Sequence, residues 1–146
     1  MPLDDDVLEE LLLSSRSFPR IRQLSSGDAA ELCEHVATKF VRDPHAKWWW
    51  TVLGDGTTTH RYGDQDGLEV LEALLPAADE VTLVVTDDES RPWPALRGPL
   101  GELLRMLREM RYVEFFVVPP DTGWVVFDTH HNELVVVGDF PTPPGR

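Results

Sequence analysis

The chain has 146 residues, and 13 Lys and Arg against 26 Asp and Glu give a formal net charge of −13. This length favours one domain, and 42% hydrophobic with 27% charged residues is typical of a globular protein rather than a disordered one. The acidic balance excludes a broad phosphate-binding surface and adsorption to an anionic membrane, since both depend on Lys and Arg. We therefore expect no nucleic-acid or membrane partner, and a basic partner is favoured.

The sequence favours a cytoplasmic location. The segment Met-Pro-Leu-Asp-Asp-Asp at the start lacks the positive charge and apolar run of a signal peptide. No apolar run approaches the roughly 20 residues of a membrane span. Cys33 is the only cysteine, so no intrachain disulfide requires an oxidising compartment.

The first part of the chain predicts two helices followed by an aromatic strand. Residues 4–15 and the segment from Asp28 to Asp43 each begin with capping-box spacing and carry one apolar stripe. Between them we expect a polar connector. Tryptophan and β-branched residues then predict a strand at residues 47–53, and a short return strand follows at residues 57–62.

The middle of the chain predicts a helix, a buried strand and a loop. Residues 65–75 carry the helical pattern, with a cap near Asp64 or Asp66. Residues 81–86 form a continuous β-branched run that is typical of a central strand. Prolines interrupt residues 87–99, which we expect to be a loop.

The last part predicts one helix and an antiparallel meander. Residues 100–110 give the most regular helical pattern, because leucines recur at i, i+3, i+4 and i+7. Three strands joined by hairpin turns follow, at residues 112–118, 124–129 and 133–137.

The order of elements predicts an α+β fold over residues 1–140, as a single domain. We expect a mixed or antiparallel sheet of five to six strands that ends in the three-stranded meander, with about four helices packed mainly on one face. Residues 141–146 form a Pro-rich tail that continues neither helix nor strand.

Tryptophan has two readings in this chain. Trp48, Trp49 and Trp50 alternate faces of the predicted strand, and both a buried core and an interface anchor fit them. Trp93 stands between two prolines, where it is either a plug over the core or a contact residue.

Asp128, His130 and His131 form the most site-like cluster. Asp128 and His130 are two residues apart, so on a strand they share a face, where a carboxylate and an imidazole would share a metal or a proton. A divalent metal needs at least three ligands, and the sequence names no third. A structural turn or a partner contact is the alternative that we adopt, with no metal site and no cofactor predicted.

Acidic residues dominate the predicted meander. Residues 112–140 contain five acids and neither Lys nor Arg, and Asp87, Asp88 and Glu89 precede them. A solvated face is one interpretation, and electrostatic steering toward a basic protein is the other. The candidate partner-binding residues are Asp87, Asp88, Glu89, Trp93, Asp121, Asp128, His130, His131, Glu133 and Asp139.

The C-terminal stretch resembles a known group of sequences. The segment Glu114–Gly138, with Trp124 opening a strand and His130-His131 in a turn, is similar to the end of an uncharacterised family of small bacterial cytosolic proteins. The acidic, motif-poor α+β character also resembles immunity proteins of bacterial toxin systems, including the broad group related to yeast cell-wall regulators. Neither resemblance implies catalytic residues.

These observations predict a non-enzymatic, acidic cytoplasmic protein-binding domain. The favoured function is an immunity- or antitoxin-like inhibitor that binds and blocks a basic toxin domain, because no phosphate loop, nucleophile elbow or His-Glu-x-x-His helix occurs. One alternative is a metal-dependent enzyme or metal-binding protein that uses the turn at Asp128, His130 and His131. Another is an accessory or scaffold subunit with a tryptophan-anchored interface.

Overall fold

The computed structural model describes residues 13–43, 45, 49–54, 56–64, 66–75, 79–86, 93–109, 114–129 and 132–139. These residues form the following helices and strands: Arg22–Gln23 (β1), Ser26–Phe40 (α1), Thr58–Arg61 (β2), Gly67–Leu74 (α2), Glu80–Val85 (β3), Ala95–Pro99 (β4), Leu100–Arg108 (α3), Phe115–Val118 (β5), Trp124–Thr129 (β6) and Glu133–Gly138 (β7). Residues 13–15 are also helical, and the rest of the helix predicted at residues 4–15 lies outside the described residues.

The strands form one sheet in which every neighbouring pair is antiparallel. Its order is β1-β4-β3-β5-β6-β7-β2, so the meander β5-β6-β7 lies beside β3 as consecutive neighbours. The α+β class and the closing meander are confirmed. The sheet has seven strands rather than five to six, because β1 and β4 lie in segments predicted to be a connector and a loop.

Both faces of the sheet are covered by helices. Leucines of α2 and α3 pack with Leu83 and Val126 on one face. The apolar stripe of α1 packs with Phe116 and Val125 on the other face. Among the helices α1, α2 and α3 of the described residues, two thus share a face, and the strands between the helical layers are buried on both sides. Within the described residues, no helix has the length and apolarity needed to cross a bilayer.

The helix starts follow from local capping. Ser25 caps α1, because its side chain accepts a 3.1 Å hydrogen bond from the Asp28 backbone N–H. This helix therefore begins before Asp28, the predicted start. Asp66 caps α2, as predicted, by accepting a 3.0 Å hydrogen bond from the Leu68 N–H.

Residues 49–53 do not form a strand of the sheet, so the strand predicted at residues 47–53 is wrong over its described part, and Lys47 and Trp48 lie outside the described residues. Trp49–Thr51 is a 3₁₀ turn, because the chain folds back on the end of α1 and pairs there instead of joining the sheet. The Gly54 N–H donates to the Phe40 carbonyl at 2.9 Å, and Val41 forms an isolated bridge with Leu53. Trp49 is buried by this fold-back.

Candidate functional site

The acids of the meander lie at opposite ends of the sheet. Asp128 and Glu133 lie at the end where β6 meets β7. Asp121 and Asp139 lie at the other end, beside the turn that joins β5 to β6 and the end of β7. Six-residue strands extend roughly 20 Å, so these four acids do not form one charged surface.

Half of the predicted contact residues lie outside the described part of the chain: Asp87, Asp88, Glu89, His130 and His131. Their roles stay predictions. Among the residues that the structure does describe, no group of three or more His, Cys, Asp or Glu side chains is arranged to hold a metal ion.

Trp93 is a core residue, so its prediction as a surface contact is wrong. Its side chain is 3% exposed. The ring meets Trp49 edge-on at 4.9 Å between centroids and meets Phe116 at 6.4 Å. Trp93 comes shortly before β4 and packs on the face of the sheet that α1 covers. Burial of a large aromatic ring there is strongly favourable.

Asp128 is also inaccessible to a partner, which corrects its prediction as a contact residue. It is 4% exposed and lies at the end of β6 on the face covered by α2 and α3. The Tyr62 hydroxyl, just after β2, donates a 2.6 Å hydrogen bond to Asp128 Oδ1. A buried carboxylate needs such a donor, because desolvation without one is costly.

The environment of Asp128 changes its protonation. Burial raises the pKa of the Asp128 carboxyl to about 6, and the charges of Glu114 and Asp66 act in the same direction. The hydrogen bond from Tyr62 acts in the opposite direction, because it stabilises the ionised carboxylate. Burial and the neighbouring Asp128 also raise the pKa of Tyr62, so the hydroxyl keeps its proton.

Ion pairs between residues of this chain surround Tyr62 and Asp128. Arg108 of α3 lies 3.5 Å from Asp66 and 3.7 Å from Glu72, which ties α3 to α2. Arg61 Nε lies 3.1 Å from Glu133 Oε2, so the predicted contact residue Glu133 already has a cationic neighbour. This end of the sheet is therefore a polar cluster that holds elements together.

A groove of about 580 Å³ lies at the other end, between α1 and the turn at residues 119–123. Acidic, basic and histidine side chains line it: Asp28, Glu31, His35, Lys39, Arg97 and Asp121. Asp121 is the one predicted contact residue among them. The Lys39 ammonium donates a 2.7 Å hydrogen bond to the Thr122 carbonyl, which fixes the turn against α1.

The turn itself has a defined conformation. Thr122 has a φ of 51°, in the left-handed region that β-branched residues rarely adopt. Its N–H donates to the Pro119 carbonyl at 3.0 Å, and the Asp121 carboxylate accepts a 2.9 Å hydrogen bond from the Gly123 N–H. These contacts, with Lys39, hold the wall of the groove in place.

Sequence reasoning missed the acids of α1. Asp28, Glu31 and Glu34 are exposed, and among the described residues neither Glu31 nor Glu34 forms an ion pair. The spacing of Asp28 and Glu31 predicts a helix cap rather than a surface. The apolar stripe of the same helix identifies its opposite, solvent-facing side, and these three acids lie there.

Comparison with known proteins places the chain in a family. No curated protein and no solved structure matches it. A model described as a family of unknown function, DUF6756, matches residues 6–142. The expected membership of an uncharacterised family is thereby confirmed, with a match that extends well beyond the C-terminal resemblance. The chain belongs to the DUF6756 family, whose function is unknown.

Proposed function

We propose that the chain is a non-catalytic protein-binding domain of the cytoplasm, an immunity- or antitoxin-like inhibitor that blocks a basic toxin domain. The observation that carries the proposal is the row of exposed carboxylates beside the groove: Asp28, Glu31, Glu34 and Asp121. A net charge of −13 adds a long-range field of the same sign.

Exposed carboxylates without ion-pair partners are suited to steering. Such groups attract a basic protein over a Debye length and raise its association rate, by about 10- to 1,000-fold in strong cases. Glu31 and Glu34 meet this condition in the described residues, whereas Glu133 is paired with Arg61. The proposed surface therefore lies on α1 and Asp121 rather than along the whole meander.

A measurement of association rates tests the proposal. The test uses the basic toxin domain that this proposal requires as the partner, and the variant combines Asp28→Asn, Glu31→Gln and Glu34→Gln. We expect its association rate constant at low salt to fall by about tenfold or more, with little difference from the unmodified chain at high salt.

The matched control removes the same charge elsewhere. Asp64→Asn, Glu69→Gln and Glu109→Gln are exposed on and around α2 and α3. We expect this triple variant to retain most of the association rate. Equal slowing by both variants would show that only total charge matters, and no slowing by either would refute electrostatic steering.

The Asp128 end of the sheet favours a second candidate, a metal-dependent or metal-binding protein. The supporting observation is the pKa of about 6 for Asp128, close in sequence to His130 and His131. This candidate predicts a rise in melting temperature with Zn²⁺ or Mn²⁺ that is lost in His130→Ala. No rise with either metal would exclude it.

A further inference from the structure

Arg97 lies at the floor of the groove in a fixed position. It faces the α1 side of the sheet in β4, directly opposite Thr82 of β3. Its Nε–H donates a 3.0 Å hydrogen bond to the Thr82 hydroxyl, and Thr82 is 2% exposed. The guanidinium is partly buried, and its two terminal nitrogens carry four further N–H donors.

Arg97 differs in its contacts from four other arginines that the structure describes. Four described arginines lie beside carboxylates, namely Arg20, Arg22, Arg61 and Arg108. Arg97 forms no ion pair among the described residues, although Asp28, Glu31 and Asp121 line the same groove. A partly desolvated guanidinium thus faces the groove, and no described carboxylate forms an ion pair with it.

We propose that the groove binds an acidic side chain of the protein partner, with its carboxylate on Arg97 and with Lys or Arg residues flanking it in the partner's sequence. The planar guanidinium matches a carboxylate in a bidentate geometry. The volume of about 580 Å³ is sufficient for a side chain and its neighbours. This inference rests on the proposed function and names the segment of the basic partner that the groove recognises.

The acids around Arg97 determine which anion fits. Asp28 and Glu31 on α1, and Asp121 on the turn, repel a segment that is acidic throughout. The same carboxylates attract Lys or Arg residues next to the anchoring carboxylate. Lys39 already donates a hydrogen bond to the Thr122 carbonyl and so stabilises the wall of the groove. Arg97 is therefore the residue that binds the partner's carboxylate.

Two capped peptides test the inference on the unmodified chain. One is Lys-Glu-Lys and the other is Lys-Gln-Lys, each added to the ¹⁵N-labelled chain while amide chemical shifts are followed. We expect the Glu peptide to shift the amides of Thr82, Arg97 and Thr122, with an affinity about tenfold higher than the Gln peptide, because a charge-assisted hydrogen bond is lost. Equal responses to the two peptides would overturn the proposal.

A variant pair then assigns the effect to Arg97. Arg97→Gln should abolish the preference for the Glu peptide, while Arg97→Lys should retain only part of it because the bidentate geometry is lost. Arg22→Gln is the matched control, since Arg22 pairs with Arg97 across β1 and β4 but is exposed outside the groove. An unchanged preference in Arg97→Gln would also overturn the proposal.

The peptide result can fail independently of the proposed function. If the peptides show no preference while the α1 triple variant still slows association with the toxin domain, the proposed function stands and the Arg97 inference is wrong. If the α1 triple variant has no effect on association, the electrostatic basis of the proposed function is itself wrong.

Discussion

Tyr62 and Asp128 are joined by a 2.6 Å hydrogen bond between residues that are 66 positions apart in the chain. The contact links the segment between β2 and α2 to the end of β6. Tyr62 also packs against the first turn of α2, since a Cβ on Gly67 would lie 2.6 Å from Tyr62 Cζ. One side chain thus positions an edge strand, a helix start and a buried carboxylate.

Asp128→Asn should remove a pH dependence of stability. The pKa of Asp128 rises from 3.8 to about 6 on folding, so the folded state binds the proton more tightly than the unfolded state. Proton binding by Asp128 therefore stabilises the folded state. This contribution to the free energy of unfolding is fully present below about pH 4, and about 3 kcal/mol is lost as the pH rises through 6. Relative to the unmodified chain, Asp128→Asn should gain stability between about pH 4 and about pH 7.5, measured by urea unfolding.

The control for this experiment is Asp64→Asn, which changes an exposed aspartate near the same end of the sheet. Solvent screens a charge at this exposed site, so Asp64→Asn should change the unfolding free energy by no more than about 0.5 kcal/mol. A parallel pH dependence in Asp128→Asn and the unmodified chain would show that Asp128 does not titrate as described.

Tyr62→Phe should destabilise the fold more at neutral than at acidic pH. The hydroxyl stabilises the ionised carboxylate, and a hydrogen bond to a charged group contributes about 1.5–3 kcal/mol. Its removal should also raise the pKa of Asp128 further, which a carboxyl ¹³C titration measures directly. A pKa that falls or stays unchanged in Tyr62→Phe would contradict the hydrogen bond's role.

Trp93→Ala should reduce the free energy of unfolding by about 3–5 kcal/mol, the range for truncating a buried tryptophan. The ring is 3% exposed and packs with Trp49 and Phe116, so a large cavity would remain. Leu13→Ala, at a side chain that is 56% exposed, should change stability by no more than about 0.5 kcal/mol. A small effect of Trp93→Ala in denaturant unfolding would contradict the core assignment.

Gly138→Ala should cost more than Gly56→Ala. Both glycines have positive φ, of 92° and 84°, so alanine is strained at each by about 1–2 kcal/mol. At Gly138 a Cβ would also lie 2.5 Å from the Gly123 carbonyl oxygen and 2.9 Å from Phe40 Cε1, whereas Gly56 has nothing within 4 Å. Both variants share the backbone strain, so the difference between their melting temperatures measures the effect of the close contacts at Gly138. Equal melting temperatures would show that these contacts have no effect.

The meander was predictable because its signals are local. β6 begins at Trp124 and β7 begins at Glu133, as their β-branched runs indicate, and turn residues separate them. β4 was not predictable in this way. Its sequence includes Arg97, Gly98 and Pro99, and it becomes a strand because it pairs with the preceding strand β3 on one side and with the distant β1 on the other.

The candidate site was less predictable than the fold. Asp121 was recognised from its charge, but the groove also depends on Arg97 and on the outer face of α1, which only the tertiary structure brings together. The burial of Asp128 likewise depends on a tyrosine far away in sequence. The sequence shows where the acidic residues lie along the chain, but it does not show which of their side chains are exposed to solvent.

Cys33 gives the chain a built-in chemical reporter. It is the only cysteine, and it lies buried at 7% exposure where α1 packs on the sheet. A thiol reagent reaches it when α1 separates from the sheet, so the rate of alkylation measures the local opening free energy of this helix. Because the outer side of α1 lines the groove, a ligand bound there should slow the alkylation without any label being introduced.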